Sequence, residues 1–332
     1  MYSIRVETDE FACRRLWEEA IPKVLLSDLW EVRDCFHQAY GHASYFVVAE
    51  RAGRVVGLLP LSWNGETNQF TYFPGETWAG KTWLEQNRII VTDGRMLRDM
   101  LRLVPDRYHL RYLQPIDKTI GSDHEVDEVG YLFVPGRYEF EMEKYFSEFS
   151  HKTAKRLKKE LAEWDNRGVE YRFDEIADLD LLFEMNLSRY GAMSYFSDAR
   201  FTSSFRRLAA LLQRNGWLRM TTVLVSGIPA AVDLGCVYNR SYTLLGGGTA
   251  AEFPGIAKLV NVFHMRWACE QRFEDVDFLC GDFNWKSLFH LTPRPLYVLT
   301  NTHQTDRRTI SHPSLRQSHS GPEADLRGAS HA

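Results

Sequence analysis

Apolar residues along the first 135 positions fall into short blocks whose spacing alternates between strand-like and helix-like. Residues 45–49 (YFVVA) and 55–61 (VVGLLPL) are two apolar runs around a polar turn at 51–54 that contains Gly53. Two such runs joined by a short glycine-bearing turn predict a β-hairpin. A strand is expected at 2–7, helices at 10–20 and 27–40, and a third strand at 70–73 before the Pro74-Gly75 breaker. A helix fits 94–103, and strands fit 109–113 and 129–134. This half reads as an α+β domain ending near Pro135.

The second half begins with a long helical region at 139–167, followed by helices at 179–190 and 201–215, the latter closed by Gly216. Three strands follow at 218–225, 228–237 and 241–245, joined by the tight turns Ser226-Gly227 and Asn239-Arg240. A helix at 255–272, a strand at 276–280, a short helix from 284 and a strand at 296–300 complete it. The halves are parallel in plan, without a residue-level repeat. The expected domains are 1–135 and 136–303. Residues 304–332 contain no aromatic residue and few apolar ones, so a disordered tail is expected there.

Composition narrows the class. The chain has 332 residues, 44% hydrophobic and 13% aromatic, enough for real cores. A net charge of −4 gives no global field that would recruit DNA. The five cysteines are scattered, without CxxC or metal-type spacing, and are expected as buried thiols in a reducing compartment. His37, His264 and His290 also lack metal-type spacing, so no metal site is expected. The N-terminus has no signal-peptide core, and no apolar run approaches the roughly 20 residues of a membrane span. A soluble, cytoplasmic protein without a membrane span is expected.

The most informative stretch runs from Gly246 to Lys286, GGGTAAEFPGIAKLVNVFHMRWACEQRFEDVDFLCGDFNWK. It reads as strand end, glycine-rich loop, helix, short strand and turn. A loop opening a helix presents backbone N–H groups and the positive end of the helix dipole, which suits a phosphate. Glycines at 246, 247, 248 and 255 permit close backbone approach. Neither GxxxxGK[ST] nor GxGxxG is present.

Three segments carry a family resemblance. SEFSHKTAKRLKKEL resembles the basic helix, VLVSGIPAAVDLGCVYNRSYTLLGGGT the hairpin and following strand, and FPGIAKLVNVFHMRWACEQRFEDVDFLCGDFNWK the ending of GNAT-type acyltransferase domains. The closer resemblance is to the tandem-GNAT group that includes CelD-like acetyltransferases and FemAB-like aminoacyl transferases. It covers roughly 131–300. One departure is Arg272-Phe273, where the family commonly has Gly. The resemblance implies two GNAT-like domains in tandem, the first degenerate, with mixed, mostly antiparallel sheets flanked by helices. It implies direct transfer of an acyl group from acyl-CoA as co-substrate to a small-molecule or peptide amine, with no metal, tightly bound cofactor or covalent intermediate. The alternatives are a FemAB-like transfer from aminoacyl-tRNA, with tRNA as partner, and a non-catalytic tandem-GNAT binding module.

The resemblance assigns Gly248 and the loop Phe253, Pro254, Gly255, Ile256, Ala257 and Lys258 to the donor phosphates. Lys286 matches the terminal lysine of the motif and is expected at those phosphates, exposed at a cleft. Asp282 either accepts the amine's proton or caps the helix after it. Asp233, flanked by apolar residues, either contacts the amine or pairs with a core partner, since an unpaired buried acid is costly. Lys152, Lys155, Arg156 and Lys159 form either a phosphate-binding helix side or a solvated face, with Arg156 the best phosphate ligand among them. Tyr190 either lines the cleft or belongs to the aromatic core.

Overall fold

The computed structural model of the protein describes residues 1–78, 80–116, 119–121, 123–281 and 285–301. Asp282 and the expected tail at 304–332 lie outside the described residues. The first half runs β1 (Ser3–Glu7), α1 (Glu10–Ala20), α2 (Trp30–Tyr40), β2 (Ala43–Arg51), β3 (Arg54–Asn64), β4 (Gln69–Tyr72), α3 (Gly94–Leu101), β5 (His109–Leu113) and β6 (Val126–Phe133). The second half runs α4 (Met142–Phe146), α5 (His151–Asp165), β7 (Val169–Phe173), α6 (Asp178–Tyr190), α7 (Ala199–Arg214), β8 (Leu218–Val225), β9 (Ile228–Tyr238), β10 (Ser241–Thr249), α8 (Ile256–Glu270), β11 (Asp275–Asp277), α9 (Trp285–Leu288) and β12 (Thr292–Thr300).

Helix starts follow their capping residues. The carboxylates of Asp9, Asp93 and Asp198 accept first-turn N–H groups of α1, α3 and α7. The expected helix over 139–167 is divided for the same reason. The Ser150 hydroxyl accepts the Thr153 N–H and starts α5 afresh, after α4 has ended at Ser147. Strand β7, which follows, was not expected from the sequence; its outward side is polar and its alternation is short.

Two sheets form, in the orders β1-β2-β3-β4 and β5-β12-β6-β11-β10-β9-β8-β7. All pairs are antiparallel except β10 with β11. The C-terminal strand β12 inserts between β5 and β6, both of which precede residue 135. The halves also share a core: Val32 and Phe36 of α2 pack with Phe201 and Phe205 of α7, and the Trp83 ring lies 4.8 Å from Phe205. The two halves are therefore joined through both sheet and core. Among the described residues no helix is long and apolar enough to cross a membrane.

Candidate active site

β10 and β11 pair in parallel over only three residues, Ser241–Thr243 against Asp275–Asp277. Beyond them the strands part. β10 bulges between Leu244 and Gly246, while the chain after β11 leans toward β6, Phe278 N–H donating to the Tyr131 carbonyl at 2.9 Å. The gap opens at the carboxyl ends of both strands, where open α/β sheets bind ligands. On the side facing the first half, a cavity of about 70 Å³ lies beneath it, lined among others by Glu85, Gln86, Thr243, Asp277, Leu279 and Arg294.

Buried charge is concentrated around this gap. Asp277 accepts from Arg294 Nη1 at 2.7 Å, from Gln86 Nε2 at 2.8 Å and from the Leu279 N–H at 2.9 Å. Glu85 accepts the Cys280 N–H with both oxygens, at 2.8 and 3.0 Å. Burial, reinforced by the Asp277 charge, raises the Glu85 carboxyl to about 7, against the opposing Cys280 N–H and Arg294. Such a carboxylate is placed and tuned to take a proton near neutral pH.

Lys286 closes the same loop. Its Nζ donates to three successive carbonyls, Phe278 and Leu279 at 2.9 Å and Cys280 at 3.0 Å. Leu279 has φ +56°, a left-handed conformation uncommon for an aliphatic residue, which turns these carbonyls toward the ammonium. Lys286 is 2% exposed, and burial lowers its pKa below that of an ordinary lysine. The expectation of an exposed lysine at a cleft is thus corrected. Short α9 points Lys286 inward because the loop 278–280 turns three carbonyls to one side, and of these only Leu279, among the described residues, also accepts from a strand, the Tyr131 N–H of β6 at 3.3 Å.

The expected donor loop lies where β10 ends. Pro254, Gly255 and Ala257 are exposed, and Lys258 is half-buried. Gly255 takes φ +88° and caps α8 without a side-chain bond. Phe253 and Ile256, by contrast, are core residues that anchor the loop. Gly248 stands in β10, not in a loop. A Cβ there would sit 2.7 Å from the Met185 Cβ and 2.9 Å from the Leu182 carbonyl, so this glycine admits α6 to the sheet. Its missing side chain is accounted for by helix packing, where ligand approach was expected.

Helix α5 packs beside the loop through Leu157, Leu161 and Trp164. Lys258 pairs with Glu160, and the Arg167 guanidinium lies over Trp164 and within 5.9 Å of the Phe253 ring. Lys152, Lys155, Arg156 and Lys159 all face solvent. Arg156 and Lys159 sit 3.6 and 3.7 Å from Glu160 and Glu163, whereas Lys152 and Lys155 have no carboxylate partner among the described residues. Tyr190, at the end of α6, is half-buried under Arg189, which donates to Thr249 at the tip of β10.

Asp233 takes the second of its two expected roles, pairing with a core partner. Its carboxylate lies 2.9 Å from Nε2 of fully buried His264, whose Nδ1 is 3.2 Å from the Tyr242 hydroxyl. This corrects its placement against the amine: the carboxylate is committed to α8. Gly235 and Gly247 make room, since a Cβ at either would overlap Tyr242 or Asp233. Sequence reading missed Glu85, Asp277, Arg294 and His264. Glu85 and Cys280 are 195 residues apart, and no local pattern links them. Asp277 alternates with apolar neighbours in FEDVDFLC, the one available hint.

Residues 151–287 match the acetyltransferase (GNAT) domain family. The whole chain shares its fold with FemX (11% identity, TM-score 0.55, covering 89% of this chain and 96% of that one). It shares it also with the C-terminal domain of a putative lysylphosphatidylglycerol synthetase from Agrobacterium fabrum (11%, 0.52, 87% and 93%). A third such structure is L-PGS from Bacillus licheniformis (10%, 0.53, 85% and 94%). No curated protein matches the sequence. Residues 151–287 therefore form a domain of the acetyltransferase (GNAT) type, and the chain as a whole has the fold that these structures share.

Proposed function

We propose that the protein is an N-acyltransferase that moves an acyl group from acyl-CoA to an amine. The observation that carries this reading is the parting of β10 and β11 beside the exposed start of α8. The donor's pyrophosphate rests on the backbone N–H groups of Gly255 and Ala257 at the start of α8, and its acyl thioester lies in the gap. The amine nitrogen attacks the thioester carbonyl, the C–S bond breaks, and coenzyme A leaves as the thiolate. Glu85 takes the proton that the amine loses. Lys286 acts as a positioning residue: by gathering three carbonyls it holds the strand that carries Asp277 and the Cys280 N–H. Lys152 lies eight residues before Glu160 on α5, about 12 Å along the helix, and suits a longer donor tail, whereas Arg156 shares Glu160 with Lys258 beside the loop.

That solvent-facing basic side of α5 favours a second reading, in which aminoacyl-tRNA is the donor and a peptide or small amine the acceptor. The two differ in salt response, because phosphate contacts to a nucleic acid release counterions. Purified protein is incubated with acetyl-CoA plus a panel of amines, and separately with charged tRNA, at low and high salt. Turnover with acetyl-CoA that persists at high salt supports the first reading, and salt-sensitive transfer from tRNA the second. Binding of either donor without transfer to any amine leaves a non-catalytic module.

A further inference from the structure

Strand β7 ends the eight-stranded sheet, and no other strand pairs with its outer side among the described residues. It lies three strands beyond β10, away from the gap. Its pairing with β8 fixes which of its backbone groups are free. The Asp174 N–H donates to the Met220 carbonyl at 2.9 Å, and the Ser226 N–H to the Gly168 carbonyl at 3.2 Å. Between them the register runs unbroken from Val169 opposite Val225 to Phe173 opposite Thr221. Antiparallel residue pairs alternate between bonded and unbonded. The even-numbered residues therefore bond β8, while Val169, Tyr171 and Phe173 turn their N–H and C=O groups to the open edge. Native edges are commonly blunted by lysine, proline or a bulge; β7 has none of the three.

The strand VEYRF is symmetric in its chemistry about Tyr171. An antiparallel second copy centred there sets Tyr171 against Tyr171, Glu170 against Arg172 and Val169 against Phe173. We propose that β7 pairs with β7 of a second copy of this chain in that register, making one sheet continuous through two molecules. The outward groups of Val169, Tyr171 and Phe173 then all meet outward groups of the second copy.

Charge selects both the occupant and the register. Glu170 is exposed and has no ion-pair partner among the described residues. Arg172 binds Asp178 through Nε at 2.9 Å and Nη2 at 2.6 Å, which leaves Nη1 uncommitted among the described residues. Opposite charges directly across a strand pair attract and like charges repel. A shift of two residues either way sets Glu170 against Glu170 or Arg172 against Arg172, so the neighbouring registers are disfavoured. The other face is apolar and already ordered. Tyr171 lies 4.2 Å from Phe263 with the rings 18° from parallel, and Phe173 lies 5.8 Å from Phe263 at 17°. The Arg219 guanidinium sits 3.9 Å from the Phe173 ring centre. Phe173 is nonetheless 40% exposed, and Val169 of the second copy covers it. Side chains held in place beforehand lose little freedom on pairing.

The test is analytical ultracentrifugation of the full chain, with hydrogen exchange of the β7 amides followed at rising protein concentration. A reversible dimer is expected, with a dissociation constant below about 100 μM, and the Val169, Tyr171 and Phe173 amides should gain protection as it forms. Glu170→Lys should melt as the wild type does at dilution, since the position is exposed. It should weaken the dimer by about ten-fold or more, because the new lysine faces Arg172 at both symmetric positions. Tyr171→Pro removes the central outward N–H without removing a bond to β8 and should be monomeric; if it fails to fold, Glu170→Lys decides alone. Four results would overturn the proposal: a chain still monomeric at about 100 μM, a dimer indifferent to Glu170→Lys, a folded Tyr171→Pro that dimerises as the wild type does, or β7 amides equally exposed in monomer and dimer. The first of these would leave the edge to a strand from another protein.

Discussion

Glu85, in the first half of the chain, receives the backbone N–H of Cys280, in the second, on both carboxylate oxygens. One side chain thereby fixes the strand end beside the β10–β11 gap and brings an ionisable group to it. The first half supplies part of the site that the second half alone would lack.

Burial of the Glu85 carboxyl beside Asp277 makes stability depend on pH. The Glu85 carboxyl titrates at about 7 when folded, against 4.5 for an ordinary glutamate. Its stabilising contribution is therefore full below pH 4.5 and lost as pH rises through about 7. Lys286, whose lowered pKa is about 8, stays protonated across that window. Wild-type melting temperature should decline between pH 5 and 7 more than that of Glu85→Gln. Parallel declines in thermal melts of the two proteins would show that Glu85 is not the titrating group.

Catalytically, Glu85→Gln should lower kcat for amine acylation by about 100-fold, the scale of a lost general base. In the wild type the acidic limb of the pH–rate profile should fall with an apparent pKa near 7. A variant that retains the limb and the rate assigns the proton to another group.

Lys286→Met should destabilise the protein by about 3 kcal/mol, because the Phe278 and Cys280 carbonyls lose the ammonium inside the fold and Leu279 keeps only the Tyr131 N–H. Denaturant unfolding measures this. A change below about 0.5 kcal/mol, typical of surface substitutions, would mean that the ammonium is not buried against those carbonyls.

Asp233 and His264 belong to packing. His264→Leu should cost about 2–4 kcal/mol by stranding Asp233 and the Tyr242 hydroxyl. Turnover per folded molecule should stay within about two-fold of wild type, which active-site titration of the folded fraction can check. Loss of kcat in fully folded protein would place the pair in the chemistry instead.

Two glycines should separate packing from conformation. Gly248→Ala drives a Cβ into the Met185 Cβ and the Leu182 carbonyl and should cost about 1–3 kcal/mol through displacement of α6. Gly255→Ala meets nothing within 4 Å, so its penalty is only the left-handed φ, about 1 kcal/mol. It should also raise KM for the donor if the loop seats phosphate. Equal stability of the two variants in urea melts would show that α6 does not press on β10.

What the chain determined by itself was local. The apolar runs around Gly53 and the turns at 226–227 and 239–240 give the hairpins, because side-chain alternation and turn chemistry act over a few residues. Asp9, Asp93 and Asp198 mark helix starts, because a cap bonds only two or three positions ahead. The motif from Gly246 to Lys286 located the helix start beside the gap. Tertiary structure decided the rest. It placed β12 between β5 and β6, turned Lys286 inward, paired Asp233 with His264, and gave the α6 helix the space left by Gly248. The reason is physical: whether a polar side chain meets solvent, a ligand or a buried partner depends on elements distant in sequence. Local pattern carries no record of which of them arrives.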